Sequence, residues 1–231
     1  MADLKIVPRQ GGYARGKDVF EQILRAAFAL LVEHGWNALT LRRIASRCGL
    51  KAGNLNYYFS SKEDLVRELL NAIINSYEES FDAIKEDRRS TAEQRLEGIV
   101  RLILEDITTK ETTRIFTELW AMANHDTFVQ DRLDEMYQRG RAAINELIAE
   151  INPVLPVEER ETLAVFFAAS LEGLTIFAGH DKPWRDRMPW LERIATTSFV
   201  QLARNMKPGE ISGATRLEPL TAFRPLRAGR D

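Results

Sequence analysis

The chain predicts an all-α fold, a three-helix N-terminal unit containing a helix-turn-helix followed by a larger helical body, and three observations lead there. Apolar residues recur at i, i+3 and i+4 through most of the 231 residues, and no stretch alternates apolar and polar as a half-buried strand would. The periodic windows are separated by residues that end helices: Gly35, Gly49, Asn152–Pro153 with Pro156, and the run from Gly179 to Pro189. Charge is divided along the chain. Residues 1–62 hold ten Lys and Arg against four Asp and Glu, a net +6, whereas residues 63–231 hold 22 against 30, a net −8. The length exceeds one average domain and divides into an arm over 1–16, a small unit over 17–60, a body over 61–206 and an irregular tail over 207–231.

Taken in order, residues 1–16 are poor in hydrophobics and carry Pro8, Gly11, Gly12 and Gly16 among Lys5, Arg9 and Arg15. A flexible basic arm is expected, either following a nucleic-acid groove or simply solvated. Asp18 is placed to cap a helix running to about His34, with Phe20, Ile23, Leu24, Ala27, Phe28, Leu31 and Val32 on its buried side. Gly35 stops that helix, and Trp36 and Leu39 are expected to fill the core of the small unit.

Thr40 is a candidate N-cap for a helix whose Leu41, Ile44 and Ala45 share one face. Gly49 is placed to take the left-handed conformation that ends it, and Leu50 to pack beyond the break. A second short helix, from about Lys51 to Tyr58, turns Leu55 and Phe59 inward, which leaves Lys51, Ala52, Asn54, Asn56 and Tyr57 outward. That outer face is small, amide-bearing and basic. Such a surface suits the major groove of B-DNA, and Ala52 and Gly53 permit close approach. The basic first quarter of the chain and the acidic remainder agree, because only one end would then meet phosphate.

The segment from Thr40 to Lys62 resembles the DNA-binding domain of TetR-type transcriptional regulators. The resemblance rests on Thr40, Ile44–Ala45, Gly49–Leu50, Tyr57–Tyr58–Phe59 and Lys62 with Leu65 after it. It covers about residues 17–70 by motif and the remainder by length and helical character. It implies a homodimer that binds double-stranded palindromic operator DNA, most often as a repressor, and lets go when a small-molecule effector enters the body. It also implies DNA contacts from Thr40, Lys51, Asn54, Tyr57 and Lys62, to which Arg42, Arg43, Ala52, Gly53 and Asn56 are added. Asn56 departs from the aromatic residue that many members carry there.

Ser60 or Ser61 is expected to cap a long helix to about Lys85, with Leu65, Leu69, Ile73, Ile74, Tyr77 and Phe81 in the apolar phase. At ~1.5 Å per residue it spans over ~30 Å, either as a lever between body and DNA or as a plain strut. Further helices are expected at about 91–108, 110–123, 126–150, 158–180 and 187–206. The 158–180 helix is apolar nearly all round and must be covered on more than one side. With the helix after it, it is expected to form a four-helix dimer interface through Phe167, Leu171, Leu174, Trp190, Ile194 and Thr197, a buried core helix being the alternative.

For the effector site, Phe116, Glu118, Trp120, Asn124, Phe166, Glu172 and Phe177 are the candidates, with Tyr137 as a further aromatic. A Glu172 buried in an otherwise apolar helix requires a partner, which favours an amine or other positively charged ligand. No Gly-rich phosphate loop, nucleophile elbow or metal-spaced His/Cys/Glu cluster occurs, so no catalysis, metal or cofactor is expected. A helical protein-interaction adaptor and an unrecognised helical enzyme with scattered catalytic residues are the alternatives, and the adaptor leaves the basic N-terminal unit unexplained. The single Cys48 excludes an internal disulfide and reads as a reduced small hydrophobe, redox sensing being the alternative. No apolar run approaches the ~20 residues of a membrane span, and the N-terminus lacks a signal peptide's apolar core, so the expected location is the cytoplasm.

Overall fold

The computed structural model describes residues 4–6 and 14–213, and among these no strand occurs. Helices α1 (Ala14–His34), α2 (Leu41–Arg47), α3 (Ala52–Leu55) and α4 (Lys62–Lys85) come first. They are followed by α5 (Ala92–Ile107), α6 (Lys110–Ala123), α7 (Thr127–Ile151), α8 (Val157–Ala178) and α9 (Met188–Asn205). Most starts are fixed by a side-chain cap. Thr40 accepts from the Arg43 N–H, Ser61 from Asp64, Thr109 from Thr112 and Asp126 from Phe128 and Val129, while Thr91 and Gln94 form a reciprocal capping box. Each cap satisfies backbone donors that the first turn leaves unpaired, at about 1 kcal/mol per cap.

Two apolar cores are built on this frame. One gathers α1 to α4 with Ile115, Phe116 and Leu119 of α6 and Val129 and Leu133 of α7. The other gathers α5, α8 and α9 with Ala143, Ile144, Leu147 and Ile148 of α7. Helices α4 and α7 therefore run through both, because Phe81 and Ile84 of α4 pack against the second core. At ~1.5 Å per residue the 24 residues of α4 reach ~36 Å.

Four expectations need correction. Helix α1 begins at Ala14, so Asp18 lies inside it rather than at its cap, and the 16/17 boundary falls within a helix. Of the arm, residues 4–6 lie on α4. Leu4 is buried in the first core, the Lys5 N–H donates to the Ala72 carbonyl at 3.3 Å, and Lys5 Nζ pairs with Glu79. The other residues of the expected arm before Ala14 lie outside the described residues. The second helix of the turn motif is shorter than expected, ending at Leu55 before a turn through Tyr58. Lastly, α8 has 22 residues and is long and apolar enough by composition to cross a bilayer, which the reading of the bare sequence missed.

The start of the tail is ordered on the body. Gly209 and Ser212 donate their N–H groups to the buried carboxylate of Glu159, near the start of α8, and the Ser212 hydroxyl adds a bond of 2.6 Å. These donors, the hydroxyl foremost, hold the Glu159 pKa below the ordinary carboxylate value. Residues 214–231 of the expected tail lie outside the described residues.

Candidate functional site

Two regions carry chemistry. The first is the outer surface of α2 and α3. Helix α2 ends in a Schellman motif: Gly49 takes φ 67°, its N–H donates to Ser46 and the Leu50 N–H donates to Ala45. That sharp stop redirects the chain into α3, with Leu55 and Phe59 fully buried beneath it and Phe59 stacked on Phe20 at 5.0 Å. Thr40, Arg42, Arg43, Lys51, Gly53, Asn54 and Asn56 are exposed, and Tyr57 stands 86% exposed. Of Ala52 only the backbone is described, so its expected side-chain role lies outside the described residues. Lys62 is half-buried with its ammonium 4.3 Å from the centroid of the Trp36 ring. An exposed tyrosine and so many unburied polar groups on one short motif leave the surface open to a groove.

Cys48 sits behind that surface with its thiol toward the Gln22 carbonyl at 3.7 Å, and burial raises its pKa, which keeps it a thiol. Arg47 is taken up by a bidentate pair with Glu33, both contacts at 2.7 Å, which ties α2 to α1.

The second region is a cavity of about 260 Å³ bounded by α4, α5, α6, α7 and α8. Its aromatic wall is Tyr77, Phe81, Phe116 and Tyr137, with Tyr77 and Phe116 packed edge to face at 5.4 Å. Its charged groups are Glu78, Asp82, Asp106 and Glu172 with Lys85, Arg139 and Arg141. Asp106 is buried and accepts from the Tyr77 hydroxyl and, at 2.7 Å, from Thr112. Glu172 reaches in from α8, where burial, and secondly the Asp106 carboxylate, push its pKa up to about 7. It is surrounded by protein yet keeps some accessible surface, because its side chain borders the cavity. Burial likewise raises the pKa values of Tyr77 and Tyr137, so both phenols remain protonated. At the rim, Arg139 is paired with Glu78 at 2.7 Å and Lys85 with Glu146 at 2.8 Å.

Of the expected ligand residues the structure brings Phe116 and Glu172 to this cavity, with Tyr137. The others lie elsewhere. Glu118 sits at the α1–α6 junction, where a Cβ on Gly35 would come within 2.8 Å of its Oε1. Trp120 stands behind the wall and donates its indole N–H to the Tyr137 hydroxyl at 2.8 Å. Asn124 is exposed and donates to the Trp120 carbonyl. Phe166 and Phe177 are 52% and 60% exposed on the outer side of α8. Among the expected dimer residues, Phe167 and Leu171 are fully internal, Phe167 stacking on Phe199 at 4.1 Å, and Leu174 is half-buried. Trp190 and Ile194 are both 63% exposed, and Thr197 is exposed. Phe166 and Phe177 thus lie outside, and Phe167 and Leu171 inside the second core, because a helix apolar all round does not reveal which stripe faces inward. Asp106 was not among the candidates. Its signal was an acid seven residues after Ile99 on the apolar stripe of α5, in the last turn, where the helix dipole opposes a negative charge.

A helix-turn-helix with an open polar face, joined by a long helix to a cavity in a helical body, defines a ligand-responsive DNA-binding regulator. Residues 23–69 match the model for "Bacterial regulatory proteins, tetR family", and residues 92–197 match that for "BetI-type transcriptional repressor, C-terminal". The chain belongs to the tetR family of transcriptional regulators. It is 26% identical over 156 residues to the HTH-type transcriptional regulator BetI of Stenotrophomonas maltophilia, covering 67% of this chain and 78% of that one. Among solved structures, a putative regulator from Saccharomonospora viridis in complex with choline aligns with TM-score 0.59 and 19% identity, covering 81% of this chain and 94% of that one. The regulator FadR from Bacillus subtilis in complex with stearoyl-CoA also aligns with TM-score 0.59, at 16% identity, over 80% of this chain and 98% of that one. The protein is a transcriptional regulator that binds DNA and is released from it by a small molecule.

Proposed function

We propose that the protein is a homodimeric repressor in the cytoplasm whose effector is a small organic cation held in the five-helix cavity. The observation that carries the effector class is the cavity lining, four aromatic rings around two carboxyl groups. Aromatic faces attract a cation through their quadrupole, and a carboxylate completes the charge balance in a space that excludes most water. The choline found in a structural neighbour supports the same reading. A long acyl-CoA fits poorly, since its bulk exceeds about 260 Å³.

In this reading residues 14–60 form the DNA-binding unit and 61–206 the body. Thr40, Arg42, Arg43, Lys51, Gly53, Asn54, Asn56, Tyr57 and Lys62 meet the operator. Two copies pair through the outer stripe of α8 and α9, where Val165, Phe166, Ile176, Phe177, Trp190 and Ile194 leave more than half of their surface exposed. The same pairing accounts for the apolarity of α8 without a membrane. Two helices carry the signal. Helix α4 brings Tyr77 to the cavity and Ser61 to the DNA-binding unit, and α6 brings Thr112 and Phe116 to the cavity and Arg114 to the Val32 carbonyl of α1 at 3.0 Å. Moving them changes the separation of the two reading surfaces, which must sit about one DNA turn, ~34 Å, apart.

The test is footprinting on the DNA upstream of the protein's own gene at two salt concentrations, with choline or its uncharged carbon isostere added. A protected palindrome that weakens with salt and is released by choline alone supports the whole reading. Release by both compounds equally would remove the charge argument, and no protection at low salt would return the adaptor alternative.

A further inference from the structure

The two carboxyl groups of the cavity are not equivalent. Asp106 is already engaged, since the Tyr77 and Thr112 hydroxyls both donate to its Oδ2. Glu172 borders the same space and accepts no hydrogen bond from any described residue. The titratable groups that act on it are Asp106 from α5, Tyr77 from α4 and Tyr137 from α7, and both phenols are neutral. The charged side chains of the rim include the Glu78–Arg139 and Lys85–Glu146 pairs, with Asp82 and Arg141 beside them.

Two carboxylates sharing one desolvated space do not both ionise readily. The Tyr77 and Thr112 hydroxyls leave Asp106 hydrogen-bonded, whereas burial, and secondly the Asp106 carboxylate, favour the protonated form of Glu172. We infer that a cationic effector binds by exchange, taking the place of the Glu172 proton. The O–H bond of the Glu172 carboxyl breaks, the proton passes to solvent, and the effector's cation pairs with the carboxylate left behind. The carboxyl pair and its occupant carry one negative charge before and after the exchange. Glu172 is therefore the specificity-determining residue of the cavity, and it selects against neutral isosteres because they leave the carboxyl protonated and without a hydrogen-bond partner. Burial, with Asp106, sets the Glu172 pKa at about 7, which places the exchange near neutral pH. This inference rests on the organic-cation reading above.

The test is calorimetric titration of the full chain with choline at about pH 6 and about pH 8, in buffers of different ionisation enthalpy. The expected result is binding about tenfold tighter at the higher pH, with close to one proton released per choline at the lower pH and almost none at the higher, since a carboxyl titrating near 7 is mostly neutral at one and mostly ionised at the other. Glu172→Gln is expected to bind choline weakly with no pH dependence, and Asp106→Asn to move the midpoint to lower pH. Choline binding by the natural chain with equal affinity at both pH values and no proton release would overturn the exchange while leaving the organic-cation reading in place. No choline binding at either pH would overturn that reading, and the exchange with it. The proton count is made on the natural chain, so it stands whether or not either variant folds.

Discussion

The surface proposed to read DNA and the cavity proposed to hold the effector are built in opposite ways. The first lies within 23 consecutive residues, Thr40 to Lys62, and its geometry comes from local devices: the Thr40 and Ser61 caps, the left-handed Gly49 and the buried Ile44, Ala45, Leu55 and Phe59. The second draws Tyr77, Asp106, Phe116, Tyr137 and Glu172 from five helices and exists only once both cores have formed. A surface made locally reads one kind of partner with little freedom in its own geometry. A cavity made by convergence can change occupant by single substitutions, which is how one fold serves neighbours that bind choline and stearoyl-CoA.

The contrast can be broken from either side. The largest effect is expected from Phe59→Ala, which removes a fully buried ring beneath the reading surface and should cost about 3–5 kcal/mol of stability, read by denaturant unfolding. Choline affinity in the fraction that stays folded should be unchanged, and its loss would mean that the two regions are not separable. Lys51→Ala and Tyr57→Ala should each weaken operator binding by about 1–3 kcal/mol without altering stability or choline affinity, and Lys51→Ala should also reduce the salt slope. Arg114→Met removes the bond from α6 to the Val32 carbonyl. It should preserve both binding events yet reduce the coupling between them by about 0.5–2 kcal/mol, measured as operator affinity with and without choline. The smallest effect is expected from Thr40→Ala, a loss of about 1 kcal/mol as the Arg43 N–H loses its acceptor, with a modest further loss of DNA affinity.

How far each region was legible follows from the same contrast. Thr40 and Gly49 mark the ends of α2 and Ser61 the start of α4, because capping chemistry acts within a few residues. The start of α1 was not readable, since Asp18, which lies in its second turn, offered a cap. Glu172 was readable as an acid in an apolar helix. Asp106 was not, because Tyr77 and Thr112, the groups that make its burial tolerable, are 29 and 6 residues away in sequence. The side of α8 that faces inward is set by the helices it packs on, α7 and α5 with α9, where Phe199 stacks on Phe167, and no periodicity within α8 reports that.

The clasp at Glu159 has a practical meaning for anyone shortening or fusing this chain. Its carboxylate is 1% exposed and depends on Gly209 and Ser212, residues that belong to no helix and look dispensable. A chain ending at Gly213 keeps both donors, whereas one ending at Met206 leaves the Glu159 carboxylate buried in the first turn of α8 without them. Trimming residues 207–213 for better crystals or a fluorescent fusion would then register as lost stability rather than as a harmless loss of tail.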